Sequence, residues 1–241
     1  MNDIDARTAR TRHPVLRPLL FGFACLLAAF AAPAGVADAL KPFTATYDAS
    51  YMGMHTTGTM TLVQSGGDRW TYSFRIDSPI ASLEQTTVFA ADGDGWKPLS
   101  NSDSSKFLIK KNRKQATYDW AAHEARWSGD VDGDRRGPVA LKEGDLDAML
   151  LNLAIARDVA AGKPLEYRLV DDGKAKRMRY RVVGTDTVSI GGRQHEATKV
   201  VRKDGNKEQL LWVVEGLPVP TRILQRKDGN DEMDLTLKSI R

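Results

Sequence analysis

The chain carries one cysteine, Cys25, and it lies inside a short apolar run near the N-terminus. Beyond residue 39 there is none. That excludes a disulfide, a thiol nucleophile and a thiolate metal site from the rest of the protein. A domain without such staples must be held by its core, and Leu40–Arg241 is long enough to build one as a single domain. Histidine is scarce as well. His55, His123 and His195 are the three beyond the leader, none at metal-ligand spacing, each beside a turn or on an alternating strand. They read as surface or structural histidines. There is no G-x-S-x-G nucleophile elbow and no glycine-rich phosphate loop. No metal and no cofactor is expected, and no catalytic residue is singled out. A hydrolase built from carboxylates alone leaves no motif, so that class stays open.

Long apolar runs are missing except at the start. Arg7, Arg10, Arg12 and Arg17 precede LLFGFACLLAAFAA (Leu19–Ala32), and Ala37-Asp38-Ala39 follows as a small-x-small cleavage site. This is the pattern of a secretory signal peptide over residues 1–39. Cleavage after Ala39 is favoured, with Ala34 as the alternative. The run is shorter than the ~20 residues of a spanning helix, so no transmembrane segment is expected after cleavage. Gly22 stands where a lipoprotein leader carries leucine three residues before its cysteine, so Cys25 reads as leader. A periplasmic location follows as an expectation. The leader's four arginines face Asp3, Asp5 and Asp38, which leaves +3 of the net +4 for the exported part. That balance permits anionic partners without demanding them. Nucleic acid is not expected for an exported protein.

What is present is alternation. Phe43, Ala45, Tyr47, Ala49 and Tyr51 alternate with polar residues, as do Trp70, Tyr72, Phe74 and Ile76. Period two with one wet face is the mark of a half-buried antiparallel strand. Further strand-like runs continue to the C-terminus, separated by Asp-Gly and Gly-Gly turn signals. RKDGN occurs twice, at Arg202–Asn206 and Arg226–Asn230, each time between two such runs. It reads as a hairpin turn made twice rather than a ligand motif used twice. One segment departs from the period. In GDLDAMLLNLAIARDVAAGKP (Gly144–Pro164), Leu146, Met149, Leu150 and Leu153 recur at helical spacing. Asp145 serves as N-cap, Gly162 as the residue after the C-cap, and Pro164 as the stop. The expected fold is mainly β, a single antiparallel meander curled into a barrel, half-barrel or roll, with one helix packed against it over residues 40–241. A long meander avoids sticky edges by curling or closing.

Asp130–Asp134 (DVDGD) resembles part of a calcium loop. Neither register places a carboxylate at the twelfth position, and Arg135 and Arg136 bring positive charge, so a hairpin tip is the better reading. Asp145 and Asp147 stand two apart and do not share a helix face, which makes them poor acid/base partners. Two basic runs, KFLIKKNRK (Lys106–Lys114) and KAKRMRYRV (Lys174–Val182), read as solvated faces or as an anionic-surface contact such as lipid headgroups. In the second, Arg177, Arg179 and Arg181 share one strand face, opposite Met178, Tyr180 and Val182. On the inner wall we expect Tyr47, Tyr51, Trp70, Tyr72, Phe74, Phe89, Trp96, Tyr118, Trp120, Tyr180 and Trp212. These side chains make either a packed core or the lining of a cavity for an apolar ligand. Tyr47, Tyr51, Trp70, Tyr72, Phe74, Trp120, Tyr180 and Trp212 are the candidates for that ligand contact.

QLLWVVEGLPVPTRILQRKDG (Gln209–Gly229) resembles the C-terminal signature of the domain-of-unknown-function 3108 family. That signature is a strand ending in Trp, then Leu-Pro-Val, a returning strand and a Gly turn. YDASYMGMHTTGTMTL, DGDGWKPLSNSDS, the Gly144–Tyr167 helix segment and RYRVVGTDTVSIGGRQHEATKV resemble other pieces of the family in the same order. The helix start, Gly144-Asp145-Leu146-Asp147, is more polar than the pattern. The resemblance implies an exported envelope protein of no established activity, with no catalytic residues to carry over. Three functions remain in play. The first is a non-enzymatic binding module for an apolar or amphipathic envelope component such as a lipid. The second is an envelope protein–protein interaction module with a filled core. The third is a carboxylate-based hydrolase.

Overall fold

The computed structural model describes residues 40–51, 54–92 and 95–241. The signal-peptide reading of residues 1–39, with Cys25 and both cleavage sites, lies outside the described residues, as does the turn at Gly93-Asp94. The described residues belong to one compact unit, Asp38–Arg241.

Among the described residues, sixteen strands and one α-helix make the fold. The strands are β1 (Phe43–Tyr51), β2 (Met54–Gly66), β3 (Arg69–Asp77), β4 (Ala81–Asp92), β5 (Gly95–Phe107), β6 (Lys110–Asp119), β7 (Glu124–Gly129), β8 (Val139–Ala140), β9 (Asp145–Leu146), β10 (Glu166–Asp171), β11 (Lys174–Arg179), β12 (Arg181–Ile190), β13 (Arg193–Asp204), β14 (Lys207–Val213), β15 (Arg222–Lys227) and β16 (Asn230–Ile240). The helix, α1, spans Ala148–Ala160. Thirteen strands form one antiparallel sheet in the order β12-β13-β14-β15-β16-β1-β2-β3-β4-β5-β6-β7-β8. The first and last strands of the domain pair in its middle, Ala49 opposite Leu235. The sheet stays open between β8 and β12. It is therefore an open roll of the half-barrel kind, and the chain between its two edges supplies the helix and a small second sheet, β11-β10-β9. In that second sheet β9 and β10 run parallel.

Alternation sets the inner face. Phe43, Ala45, Tyr47 and Ala49 of β1 are buried, as are Trp70, Tyr72, Phe74 and Ile76 of β3. α1 lies against this face. Eight of its thirteen residues are buried, including Leu150, Leu153, Ala154 and Ile155. A helix apolar nearly all round is one enclosed on most sides. Together these side chains form the main core, and each large one adds ~1.5–3 kcal/mol by leaving water.

The helix ends correct one boundary. Asp147, not Asp145, is the N-cap, accepting the Leu150 amide at 2.8 Å. Asp145 sits two residues earlier, in β9. At the other end Gly162 takes φ 62°, and the Gly162 and Lys163 amides close back on the Val159 and Asp158 carbonyls. That left-handed cap is the one expected of glycine.

The two RKDGN copies both make hairpins, but different ones. The first turns on Gly205-Asn206, between Asp204 and Lys207. The second turns on Asp228-Gly229, between Lys227 and Asn230, with φ 51° and 80°. An irregularity at Gln225/Arg226 accompanies the one-residue difference in register. The two tips are neighbours: the Asp228 amide donates to the Asn206 carbonyl at 2.9 Å, and Asn206 Nδ2 to Asp228 Oδ1 at 2.7 Å. At the Asp130–Asp134 segment a 3-10 turn, Gly133–Arg135, replaces a tight tip.

Candidate functional site

The aromatic wall is closed by its own neighbours. Tyr47 and Tyr72 are 0% exposed, and Trp70 and Phe74 are buried beside them. Tyr180 joins the same cluster from the crossover between β11 and β12. The three tyrosine hydroxyls are engaged. Tyr47 Oη donates to the Pro220 carbonyl at 2.8 Å, Tyr72 Oη to Met60 Sδ at 3.2 Å and Tyr180 Oη to Gln209 Oε1 at 2.7 Å. Burial pushes the Tyr47 and Tyr72 hydroxyls well above the usual phenol range. A wall with its hydroxyls satisfied internally offers no free hydroxyl to orient a ligand.

Four of the expected wall residues, Tyr51, Tyr118, Trp120 and Trp212, lie elsewhere. Tyr51 ends β1 and is half exposed. Trp120 flanks a second cluster around Tyr118 and Trp127, its Nε1 on the Pro98 carbonyl at 2.7 Å. Trp212 faces the opposite side of the sheet, in a third cluster with Leu210, Val201 and Leu224. The cause is the run LLWVV: β14 is buried on both faces, so its period does not tell inside from outside. Trp212 Nε1 donates to Asp186 at 2.7 Å, and the Lys199 and Arg222 cations lie 5.0 and 4.8 Å from its ring centre. The Trp212 hydrogen bond and the Lys199 ammonium hold the Asp186 carboxyl below its usual range. Phe43, Trp127 and Tyr167, absent from the expected wall, are core residues. Each sits at an alternating position, which was the available signal.

A polar collar ties α1 to the sheet. Asp147 is 0% exposed. Its Oδ2 accepts from the Thr87 hydroxyl of β4 and, at 3.2 Å, from Asn101 Nδ2 of β5, while Oδ1 caps the helix. Burial raises its carboxyl to about 6 against these three hydrogen bonds, and the nearby Asp171 adds to the rise. Asp145, also 0% exposed, is paired with Arg168 and accepts the Lys142 amide at 2.8 Å. Its Oδ1 is buried with no hydrogen-bond partner among the described residues. At the helix end Asp158 accepts from Arg157 at 2.8 Å and from Tyr167 at 3.0 Å. Asp145 and Asp147 thus act through packing and capping, and neither presents surface to a substrate.

Beside the collar lies a polar cleft. One pocket of about 270 Å³ is lined by Asn101, Asp103, Lys114, Gln115, Trp127, Asp171 and Asp172. A second, about 150 Å³, shares Asp171 and Asp172 and adds Arg135, Lys174 and Lys176. Both are below the ~300 Å³ at which small-molecule sites begin. Two of their cations share one carboxylate. Asp172 lies 3.1 Å from Lys114 and is also bonded to Arg135. Burial pushes its carboxyl up, but these two cations outweigh it and hold it low. Asp171 goes the other way, raised by burial and by the charges of Asp172 and Asp103. The β10–β11 turn fits here because Gly173 has no side chain: a Cβ would stand 2.2 Å from the Arg135 carbonyl oxygen.

The basic runs are also placed. Arg177 and Arg179 belong to β11, but the strand ends before Tyr180 and Arg181 opens β12 in the other sheet. The expected single arginine face is therefore split between two sheets, and Val182 is exposed rather than inward. Lys106–Lys114 forms the tip of the β5–β6 hairpin, with Phe107, Leu108 and Ile109 exposed at its apex. His55 and His123 are exposed and His195 is half-buried. No group of three His, Cys, Asp or Glu side chains is arranged to hold a metal among the described residues. No helix among them is long and apolar enough to cross a membrane.

A model of a family described as protein of unknown function, DUF3108, matches residues 46–236. No curated protein matches the chain. Among solved structures, one titled "Crystal structure of MucB" aligns at 11% identity and a TM-score of 0.31, covering 85% of this chain and 54% of that one. The chain thus spans about half the length of that structure. A likeness of that size says nothing about function.

Proposed function

The chain belongs to the DUF3108 family of proteins of unknown function, and from that premise we propose that it is a non-enzymatic interaction module of the cell envelope that binds on its outer surface. The envelope location rests on the signal-peptide pattern of residues 1–39. One observation carries the mode of action: the aromatic wall is filled by α1, with Tyr47 and Tyr72 fully buried. A filled interior leaves the strand ends and outer faces for recognition.

The carrier reading, in which an apolar component such as a lipid binds the wall, has one feature in its favour. Gly144 and Gly162 take φ 82° and 62° on either side of α1, so the helix is bounded by two residues with wide backbone freedom. In that reading α1 swings out and its ligand replaces it.

Native mass spectrometry of protein purified gently from its own compartment separates the two, with a denatured and refolded sample as control. The expected result is a bare chain mass in both. A stoichiometric adduct of lipid mass, absent after refolding, would overturn the filled-core reading in favour of the carrier.

A further inference from the structure

We infer that the β5–β6 hairpin end is a docking element for an anionic phospholipid bilayer. The inference rests on the surface-acting reading above and names its partner. Eight large apolar side chains are notably exposed among the described residues, and four of them meet here: Ile80, Phe107, Leu108 and Ile109, at 47, 52, 57 and 95%. They are contiguous. The Leu108 amide donates to the Ile80 carbonyl at 2.8 Å, and Phe107 pairs with Ala81 across β4 and β5. Two hairpin ends therefore present one apolar apex.

The backbone at that apex is unusual for its residue. Leu108 has φ 54° in a two-residue turn. Glycine or asparagine suits that conformation, and a bulky γ-branched residue is strained there. A large apolar side chain kept exposed in a strained turn gains nothing for the isolated fold, and such outliers cluster where function requires them.

The charge behind the apex has one sign. Lys106 faces Lys111 directly across the hairpin, and Lys110 faces Phe107. Like charges opposite one another weaken a hairpin. No acidic residue lies between Ser104 and Gln115, and none of the three lysines has a carboxylate partner among the described residues. Nearby acids are engaged: Glu84 bonds Arg75 at 2.6 Å and Asp103 accepts from Gln85 at 3.2 Å. Asp130 accepts the Arg113 amide at 2.8 Å, and Asp77 ends β3. An apolar tip with flexible ammonium groups one or two residues behind it fits a bilayer interface. The tip enters the acyl boundary while the lysines reach lipid phosphates.

The test is cosedimentation of protein, purified as above, with vesicles of phosphatidylcholine alone and of phosphatidylcholine mixed with phosphatidylglycerol. The wild type should bind the mixed vesicles, weaken as salt rises, and bind the neutral ones far less. Lys106→Gln/Lys110→Gln/Lys111→Gln should lower partitioning about a hundredfold, at roughly fivefold per lysine. Leu108→Gly/Ile109→Asn should lower it at least about tenfold. That pair suits the turn, so its loss of binding would not be a folding defect, and urea unfolding checks this. Arg177→Gln/Arg179→Gln/Arg181→Gln should leave binding within about twofold. The inference is overturned if the wild type ignores anionic vesicles, which would leave the tip to a protein partner. It is also overturned if both tip variants bind as the wild type does, or if the arginine variant loses as much as the lysine one. Vesicle binding reports on the docking element, and the adduct mass reports on the filled core, so either reading can fail alone.

Discussion

Replacing Asp147 by asparagine tests whether the collar holds a carboxylate out of water. Burial moves this group from 3.8 to about 6. Between those two pH values the folded chain keeps a proton that the unfolded chain has released. The extra stability of the protonated fold is therefore complete below about pH 4, is lost as pH rises through about 6, and stays absent above it. A displacement of that size corresponds to about 3 kcal/mol. Asparagine has the same shape and caps helices as well as aspartate, so the Leu150 amide keeps its acceptor. The Thr87 hydroxyl can turn to accept from the new amide. The Asn101 amide then faces a donor, a loss of about 1 kcal/mol that does not vary with pH. Asp147→Asn should thus be less stable than the wild type by about 1 kcal/mol at pH 4 and more stable by about 2 kcal/mol at pH 7. Urea unfolding followed by tryptophan fluorescence at a series of pH values reads both. A difference constant between pH 4 and 7 would refute the reasoning, because it would mean that Asp147 ionises as an ordinary solvated carboxyl.

Three further substitutions probe other joints. Gly173→Ala should destabilise by about 2–3 kcal/mol in urea, since its φ of 71° disfavours a side chain and its Cβ would meet the Arg135 backbone. Arg168→Met should cost about 3 kcal/mol by the same assay, because it leaves the fully buried Asp145 without its cation. Trp212→Phe should let the Asp186 carboxyl climb back toward its usual range, observable by NMR titration of its side-chain carbon, because the indole donor is the foremost cause of its depression.

Where the local pattern and the fold agree, they do so because one face is wet. β1 and β3 are legible from alternation alone, and α1 from the spacing of Leu146, Met149, Leu150 and Leu153. The misplacements have a common cause, which is that distant pairing decides them. Asp145 and Asp147 are equally good caps on paper; the parallel pairing of Asp145 with Arg168 in β10 assigns them. Arg177, Arg179 and Arg181 keep perfect alternation across Tyr180, yet the chain changes sheets there, with the Tyr180 amide bonded to the Leu165 carbonyl at 2.9 Å. In the two RKDGN turns, identical residues adopt different two-residue loops because the strands around them differ in register. Tyr47, Trp70, Tyr72 and Phe74 are legible as inward side chains and α1 as the helix packed against them, but not whether a cavity is left between them, since no spacing rule says how closely two elements approach.

The interior of this fold is finished: its hydroxyls are bonded, its trough is occupied and its collar charges are mostly paired. Unspent cost is concentrated at the β5–β6 tip, and Leu108→Gly measures it. Leucine in the left-handed region carries roughly 1–2 kcal/mol of strain. Glycine removes that strain but gives the unfolded chain about 0.5–1 kcal/mol more entropy to lose. The free protein should therefore gain about 0.5–1 kcal/mol, read as a higher urea midpoint with an unchanged slope. If the substitution destabilises instead, Leu108 makes contacts in the free protein that outweigh its strain, and the apex is part of the core's support. If it stabilises, the wild-type residue is disfavoured by folding alone. Its presence is then explained by what the exposed side chain does outside the fold, and vesicle partitioning of the same variant should fall as its stability rises.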